Sequence, residues 1–180
     1  MTVEKTPIEG LLVLTPQIFG DERGFFMEVF NADKFAELGL PSDFRQDNHS
    51  SSVQGVLRGL HFQLLPKAMA KMVRCTRGKI WDVAVDLRQG SPTYKQSFGV
   101  ELSALNSKML WIPEGFAHGF YALEDAEVVY KSTNTYDKKL DANVAWNDPD
   151  LAVVWPLTGE PIISVRDQAA PLLKDLTLPF

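Results

Sequence analysis

Residues 71–87 read KMVRCTRGKIWDVAVDL, two runs rich in Val, Ile, Met and Trp on either side of the turn Arg77-Gly78. Runs of this length and composition, bounded by a glycine turn, predict two β-strands. Side chains alternate along a strand, so Trp81, Val83, Val85 and Leu87 fall on one face of the second run and Asp82, Ala84 and Asp86 on the other. Before the turn, Lys71, Val73 and Cys75 share a face. The polar-and-small face either lines the inside of a barrel, making a wet cavity, or faces solvent; the pattern alone does not choose.

The segments on both sides carry the same signature. GFFMEVF follows the turn DERG, and SFGVELS, KMLWIP, GFYAL and AEVVYKSTNTY come after, each short and bounded by Gly, Pro, Asn or Ser. Short strands at this spacing, with little helix, predict an antiparallel all-β sandwich or barrel. The strongest helix signal spans Asn31 to Gly39. Asn31 is a good N-cap, Phe35 and Leu38 share a face, and Gly39 followed by Leu40-Pro41 is a stop. There are no repeats, low-complexity tracts or linkers, so residues 1–180 are expected to form a single domain.

Composition narrows the class without naming a reaction. A hydrophobic fraction of 45% is ordinary for a globular chain, and no apolar run reaches the roughly 18 residues of a membrane helix. The start, MTVEKTPIEG, lacks the pattern of a secretory signal, and Cys75 is the single cysteine, so a cytoplasmic setting is expected. The net charge of -5 offers no general attraction to nucleic acid or anionic membranes.

Three histidines are few enough to weigh singly. His61 lies in GVLRGLHFQ, at the end of a strand-like stretch between Arg58 and Gln63. His118 lies in WIPEGFAHGF, where Pro and two Gly residues predict a tight loop, and His49 in QDNHSSS reads equally as a turn residue. A metal-binding barrel would want an H-x-H pair, but the segment here is His61-Phe62-Gln63, so no metal is expected. No G-x-S-x-G, G-x-G-x-x-G or Walker loop is present, which removes the usual signs of a serine nucleophile, a nicotinamide or ATP. Acid–base chemistry by His, Tyr, Lys and carboxylates remains, with no cofactor.

Nine segments, in order from about residue 5 to 173, then carry a resemblance: DERGFFMEVF, QDNHSSS, GVLRGLHFQ, AKMVRCTRGKIWDVAVDLRQGSPTY, GVELS, WIPEGFAHGF, VVYKSTNTY, WNDPDLAVVWP and ISVRDQAAP. The chain closely resembles the dTDP-4-dehydrorhamnose 3,5-epimerase family, sugar epimerases of the cupin type. The resemblance implies a cupin jelly-roll β-barrel with a few short peripheral helices, a homodimer that shares strands, no metal and no cofactor. It also implies the reaction, inversion at C3 and C5 of dTDP-4-keto-6-deoxy-D-glucose to give dTDP-4-keto-L-rhamnose. By the same likeness His61 is the base, Asp167 its partner, Lys71 the enolate stabiliser and Tyr130 the acid. Gln46 and Asn48 line the site, Arg166 lies near the diphosphate, and Arg23, Phe26 and Glu28 contact the thymidine from the neighbouring subunit.

The residues suit such a reaction. A 4-keto group acidifies C3 and C5, so epimerisation needs a base on one face, a proton donor on the other, and a cation or donor at the developing oxyanion. An imidazole is largely neutral near physiological pH, and a carboxylate on its second nitrogen fixes the tautomer. Ser164-Val165-Arg166-Asp167 also reads as an S-x-x-D helix start, which gives Asp167 a purely capping alternative. Asp82 is placed by parity to pair with Lys71. Tyr136, six residues after Tyr130, falls on the same strand face by parity; the family often has two adjacent aromatics where this chain has Thr135-Tyr136. Arg58 and His118 are the candidates for the two phosphates. Two rivals stand beside this reading: a mono-epimerase acting at C3 or C5 only, and a non-catalytic sugar-binding cupin.

Overall fold

The first strands are β1 (Thr2–Lys5), β2 (Leu12–Thr15), β3 (Ile18–Asp21) and β4 (Gly24–Met27), followed by the helix α1 (Ala32–Glu37). Then come β5 (Gln46–Ser52), β6 (Val56–Gln63), β7 (Lys71–Arg77), β8 (Lys79–Asp86), β9 (Ser97–Ser103), β10 (Met109–Ile112), β11 (Phe116–Ala122), β12 (Ala126–Ser132) and β13 (Asp141–Asn143). β14 (Ile162–Ile163) and the short helix α2 (Val165–Gln168) follow in this computed structural model, which describes residues 1–180. One sheet has the order β1-β2-β10-β7-β12-β5; the other has β13-β6-β11-β8-β9, with β14 beside β6. β3 and β4 form a separate two-stranded ribbon. This is the all-β jelly roll of the cupin type, and no helix is long and apolar enough to cross a membrane.

The hinge between the sheets is the Arg77-Gly78 turn. β7 lies in the first sheet and β8 in the second, so the chain changes sheet at Gly78. Its φ is +68°, and a Cβ there would fall 2.1 Å from the carbonyl oxygen of Asp125, so only glycine fits.

The polar-and-small face of β8 points inward. Ile80 and Ala84 pack in the interior with Val73, Cys75, Leu110, Phe116 and Phe120, and Asp82 and Asp86 are fully buried beside them. Val83, Val85 and Leu87 face outward, where Leu60, Val144, Leu151 and Leu173 cover them. Most of the interior is apolar, and its two buried carboxylates lie apart, Asp82 against His118 and Asp86 among Arg88, Ser91 and Thr93. The outer face of the first sheet is covered by α1: Phe35 is fully buried against Leu14, Met72, Met109 and Trp111. That burial contributes about 2–3 kcal/mol.

Several expectations needed correction. Asn31 does cap α1, its Oδ1 accepting from the amides of Asp33 (3.1 Å) and Lys34 (3.2 Å). Leu38, however, is the C-cap of the helix and 42% exposed, so it does not share the burial of Phe35. GFFMEVF is strand only as far as Met27; Val29 and Phe30 instead join the Phe35 cluster. His49 is not in a turn but in β5, and His118 is not in a loop but in the middle of β11. There Gly119 is needed for close strand packing rather than for a turn.

Candidate active site

The site forms where an edge strand of the first sheet, β5, and a strand near the edge of the second, β6, bring their inward rows toward β7 and β12. Cross-strand register places Gln46, Asn48, Ser50 and Ser52 of β5 beside Ser132, Tyr130, Val128 and Ala126 of β12. Alternation in β6 would separate His61 from Arg58, three residues away. It does not, because the β6–β11 register slips there: His61 pairs with His118 but Arg58 with Phe120. The slip is a bulge, and it turns Arg58 and His61 to the same side. Two glycines permit it. A Cβ on Gly59 (φ +139°) would fall 2.6 Å from Cα of Gly119, and one on Gly119 would fall 2.6 Å from the carbonyl oxygen of Arg58.

His61 Nε2 lies 2.6 Å from Oδ1 of Asp167, which is 3% exposed. Oδ2 of Asp167 accepts from the Gly59 amide at 3.4 Å. Ser164 also caps α2, its Oγ accepting from the Asp167 amide at 3.1 Å. The S-x-x-D pattern and the dyad therefore coexist: the backbone of Asp167 serves the cap while its carboxylate serves His61. Burial pushes the Asp167 carboxyl up, but His61, Gly59 and Ser164 together hold it below the usual range. A carboxylate that accepts a hydrogen bond from Nε2–H leaves Nδ1 of His61 with its lone pair free to act as a base.

Lys71, at the start of β7, faces inward with Val73 and Cys75. Burial lowers its ammonium to about 8, against the opposing pull of Asp82 and Asp141. It lies 5.9 Å from the ring centroid of Tyr130, whose phenol is raised, chiefly by burial. The expected Lys71–Asp82 ion pair is not formed. Asp82 Oδ1 instead meets Nε2 of His118 at 2.8 Å, and its Oδ2 has no hydrogen-bond partner.

His61, Lys71, Tyr130, Gln46, Asn48, Tyr136 and Arg166 line one cleft of about 310 Å³. Tyr136 is there for a different reason from the one expected. β12 ends at Ser132, so strand parity does not place it; Gln46 Oε1 accepts from its amide at 2.7 Å and its hydroxyl donates to Oδ2 of Asp141 at 3.0 Å. Arg166 Nη1 reaches that same oxygen at 2.8 Å. Arg58 is tethered just outside, Nε donating to Ser52 Oγ (3.0 Å) and Nη2 to the Ser51 carbonyl (3.1 Å).

Other expected residues are not in the cleft of a single chain. His118 is 7% exposed and turned to Asp82, which leaves it poorly placed for a phosphate. Arg23 binds Asp21, Glu28 binds Lys34 and Asn31, and Phe26 sits 67% exposed on the β3–β4 ribbon. Sequence reasoning missed Asp141 and Gln63 altogether. Asp141 gives no local signal in KKLDANV; it enters the site because β13 pairs with β6, opposite Gln63. Gln63 accepts from the Asp137 amide at 2.8 Å and so fastens the loop that carries Tyr136.

A larger recess of about 510 Å³ lies elsewhere, by Arg88, Glu114 and Phe180, but Arg88 is already held by Asp86. No three His, Cys, Asp or Glu side chains are gathered to hold a metal ion. The cleft, in contrast, offers a carboxylate-backed imidazole, an ammonium and a phenol. Those are the groups for removing a proton from carbon, holding the anion and returning a proton.

A jelly roll with this constellation is suited to epimerisation at a carbon beside a carbonyl. The model of the dTDP-4-dehydrorhamnose 3,5-epimerase family matches residues 5–175, and the chain belongs to that family. It is 51% identical over 180 residues to the dTDP-4-dehydrorhamnose 3,5-epimerase of Salmonella typhimurium, covering 99% of this chain and 98% of that one. The crystal structure of the dTDP-6-deoxy-D-glucose-3,5-epimerase of Legionella pneumophila, in complex with dTDP-4-keto-L-rhamnose, superposes with a TM-score of 0.95 at 45% identity. That match covers 98% of this chain and 94% of the other. A dTDP-4-dehydrorhamnose 3-epimerase from Streptomyces niveus is 44% identical over 177 residues, 97% of this chain and 85% of that one.

Proposed function

We propose that this isomerase, as one epimerase domain, inverts C3 and C5 of dTDP-4-keto-6-deoxy-D-glucose to give dTDP-4-keto-L-rhamnose. The observation that carries the mechanism is the His61–Asp167 contact of 2.6 Å opening on the same cleft as Lys71 and Tyr130. His61 Nδ1 removes the proton from the carbon beside the ketone. The electron pair moves into the C4 carbonyl, and the enolate oxygen is held by the Lys71 ammonium. Tyr130 returns a proton to the opposite face of the carbon, and the phenolate and imidazolium then re-equilibrate with solvent. Asp167 fixes the imidazole tautomer and stabilises the imidazolium while it lasts.

Arg58 takes the diphosphate, supported by its bulge-enforced place on the same strand as the base. Arg166, Gln46 and Asn48 bind along the cleft, and Tyr136 closes its mouth. The exposed ribbon, with Phe19, Phe25 and Phe26 at 55%, 66% and 67% exposure, is a surface suited to a second copy of the chain. In that homodimer Arg23, Phe26 and Glu28 would reach the partner's nucleotide. The free Cys75 thiol fits a cytoplasmic enzyme.

Deuterium exchange decides between dual and single epimerisation, a question sharpened by the resemblance to a 3-epimerase. In heavy water, wash-in at both C3 and C5 is expected. Exchange at one carbon only would make the chain a mono-epimerase, and undiminished turnover by His61→Ala would remove the mechanism.

A further inference from the structure

Gln63 ends β6 on the same cleft wall as His61, and no step of the proton transfer uses it. Its side chain is 5% exposed. Oε1 accepts from the Asp137 amide at 2.8 Å, and Nε2 donates to the carbonyls of Lys67 and Thr135, the latter at 3.1 Å. One N–H and two carbonyls converge on the group, so a primary amide fits and its orientation is fixed: the oxygen faces the donor and the NH2 faces the acceptors. The Thr135 carbonyl and the Asp137 amide flank Tyr136. A single buried side chain thus grips the peptide before and after that residue.

Other contacts complete the arrangement. The Tyr136 amide donates to Gln46 Oε1 and its hydroxyl to Asp141 Oδ2, and Asp141 is the register partner of Gln63 where β13 pairs with β6. The Lys67 carbonyl belongs to the β6–β7 connection, so Gln63 also ties that loop to the one bearing Tyr136. A Lys67–Asp137 ion pair at 3.2 Å and a bond from Asn134 Nδ2 to the Ala68 carbonyl at 2.9 Å join the same loops. Neither reaches the peptide groups beside Tyr136. Thr135 and Tyr136 are exposed and lie in no strand or helix, so regular structure does not hold them.

We infer that Gln63 is a positioning residue for substrate capture: it holds Tyr136 over the cleft in the frame of the strand that carries His61. The inference rests on Tyr136 closing the mouth of that cleft. An exposed loop otherwise samples many conformations, and a site loses affinity in proportion to the time its competent form is unpopulated. Gln63 keeps that form populated before substrate arrives. It acts on binding shared by the ground and transition states, and not on the proton transfers.

The test is Gln63→Met, which keeps an unbranched stem and removes every hydrogen bond of the amide. KM for the 4-keto substrate is expected to rise about tenfold, with kcat within about threefold. Hydrogen exchange in the variant should quicken at the Asp137 amide and stay unchanged in β8, which separates release of the loop from general loss of stability. Gln63→Glu keeps the size and the acceptor but sets an oxygen against two carbonyls, and should raise KM at least as much. In the Tyr136→Ala background, Gln63→Met should raise KM by no more than about twofold further. An unmoved KM, a loss confined to kcat, protection lost across β8 as well, or losses that multiply in the double variant would overturn the inference. Should the Gln63 variants fail to fold, the parent enzyme decides. Its Asp137 amide is expected to exchange at least about tenfold more slowly than the Lys138 amide, which has no hydrogen-bond partner, and equal rates overturn the inference. An unchanged KM in Tyr136→Ala alone would instead strike down the part given to Tyr136, a separately visible result.

Discussion

Replacing Lys71 with methionine should make the protein more stable and nearly inactive. The ammonium is held at about 8 against an ordinary value of 10.5, first because it is buried. Between those two pH values the unfolded chain keeps a proton that the folded chain gives up, so stability rises with pH across that window. Below about pH 8 both states are protonated and the folded state carries the full cost, about 3 kcal/mol. Methionine keeps an unbranched stem of similar length without the charge. Allowing for partial solvent contact, the gain at pH 7 should be about 1–3 kcal/mol per protomer, or roughly 2–10 °C in Tm. Guanidinium denaturation followed by the fluorescence of the four tryptophans, at pH 7 and at pH 10.5, measures it. The gain should shrink toward zero at the higher pH, where the cost of keeping the folded lysine charged has gone. Turnover of the 4-keto substrate should fall by about 10²–10³. A variant less stable than the parent at pH 7, or equally stabilised at both pH values, would refute the reasoning.

Asp167→Asn should lower kcat by about 10²–10⁴ with little change in KM, since the amide keeps the shape but cannot stabilise an imidazolium; steady-state kinetics on the variant checks this. Tyr130→Phe should keep proton wash-out from the substrate but impair inversion, read by exchange and product formation in heavy water. Burial raises the Asp86 carboxyl, but Arg88, Ser91 and Thr93 together outweigh it and bring the group down to about 2. That carboxylate stabilises the fold above about pH 4 and loses its contribution as pH falls through 2. Asp86→Asn should therefore cost about 2 kcal/mol at pH 7 and much less at pH 2, by denaturant titration. Gly119→Ala should cost at least about 1–3 kcal/mol by the same measure, because its Cβ would meet the Arg58 carbonyl oxygen at 2.6 Å.

The period of two was legible where one face is buried, as in β12, while β7 and β8, which bury residues on both faces, were legible from their β-branched composition and the glycine turn between them. α1 was legible through Asn31 and Gly39, which act locally. His118 was misplaced because glycine in a strand that packs closely on its neighbour looks the same, in one dimension, as glycine in a loop. Tyr136 was found by an argument that the end of β12 at Ser132 invalidates. Asp141 and the Asp82–His118 pair depend on strands being brought together from distant parts of the chain. No periodicity records that. The nucleotide residues of the ribbon were reached only by resemblance, since nothing in their local pattern distinguishes a base contact from a surface turn.

The bulge in β6 turns that strand into a ruler. Arg58 and His61 sit three residues apart on one side of a single strand, a separation of at most about 10 Å. Because both marks are cut in the same strand, no hinge or subunit motion changes the backbone spacing between the residue proposed to hold the diphosphate and the proposed base. With Arg58 on the diphosphate and His61 at the sugar, a sugar carried on one phosphate instead of two would be gripped correctly and presented wrongly, by about the length of a phosphate. Selectivity for the length of the carrier would then show as lost turnover and not as lost binding.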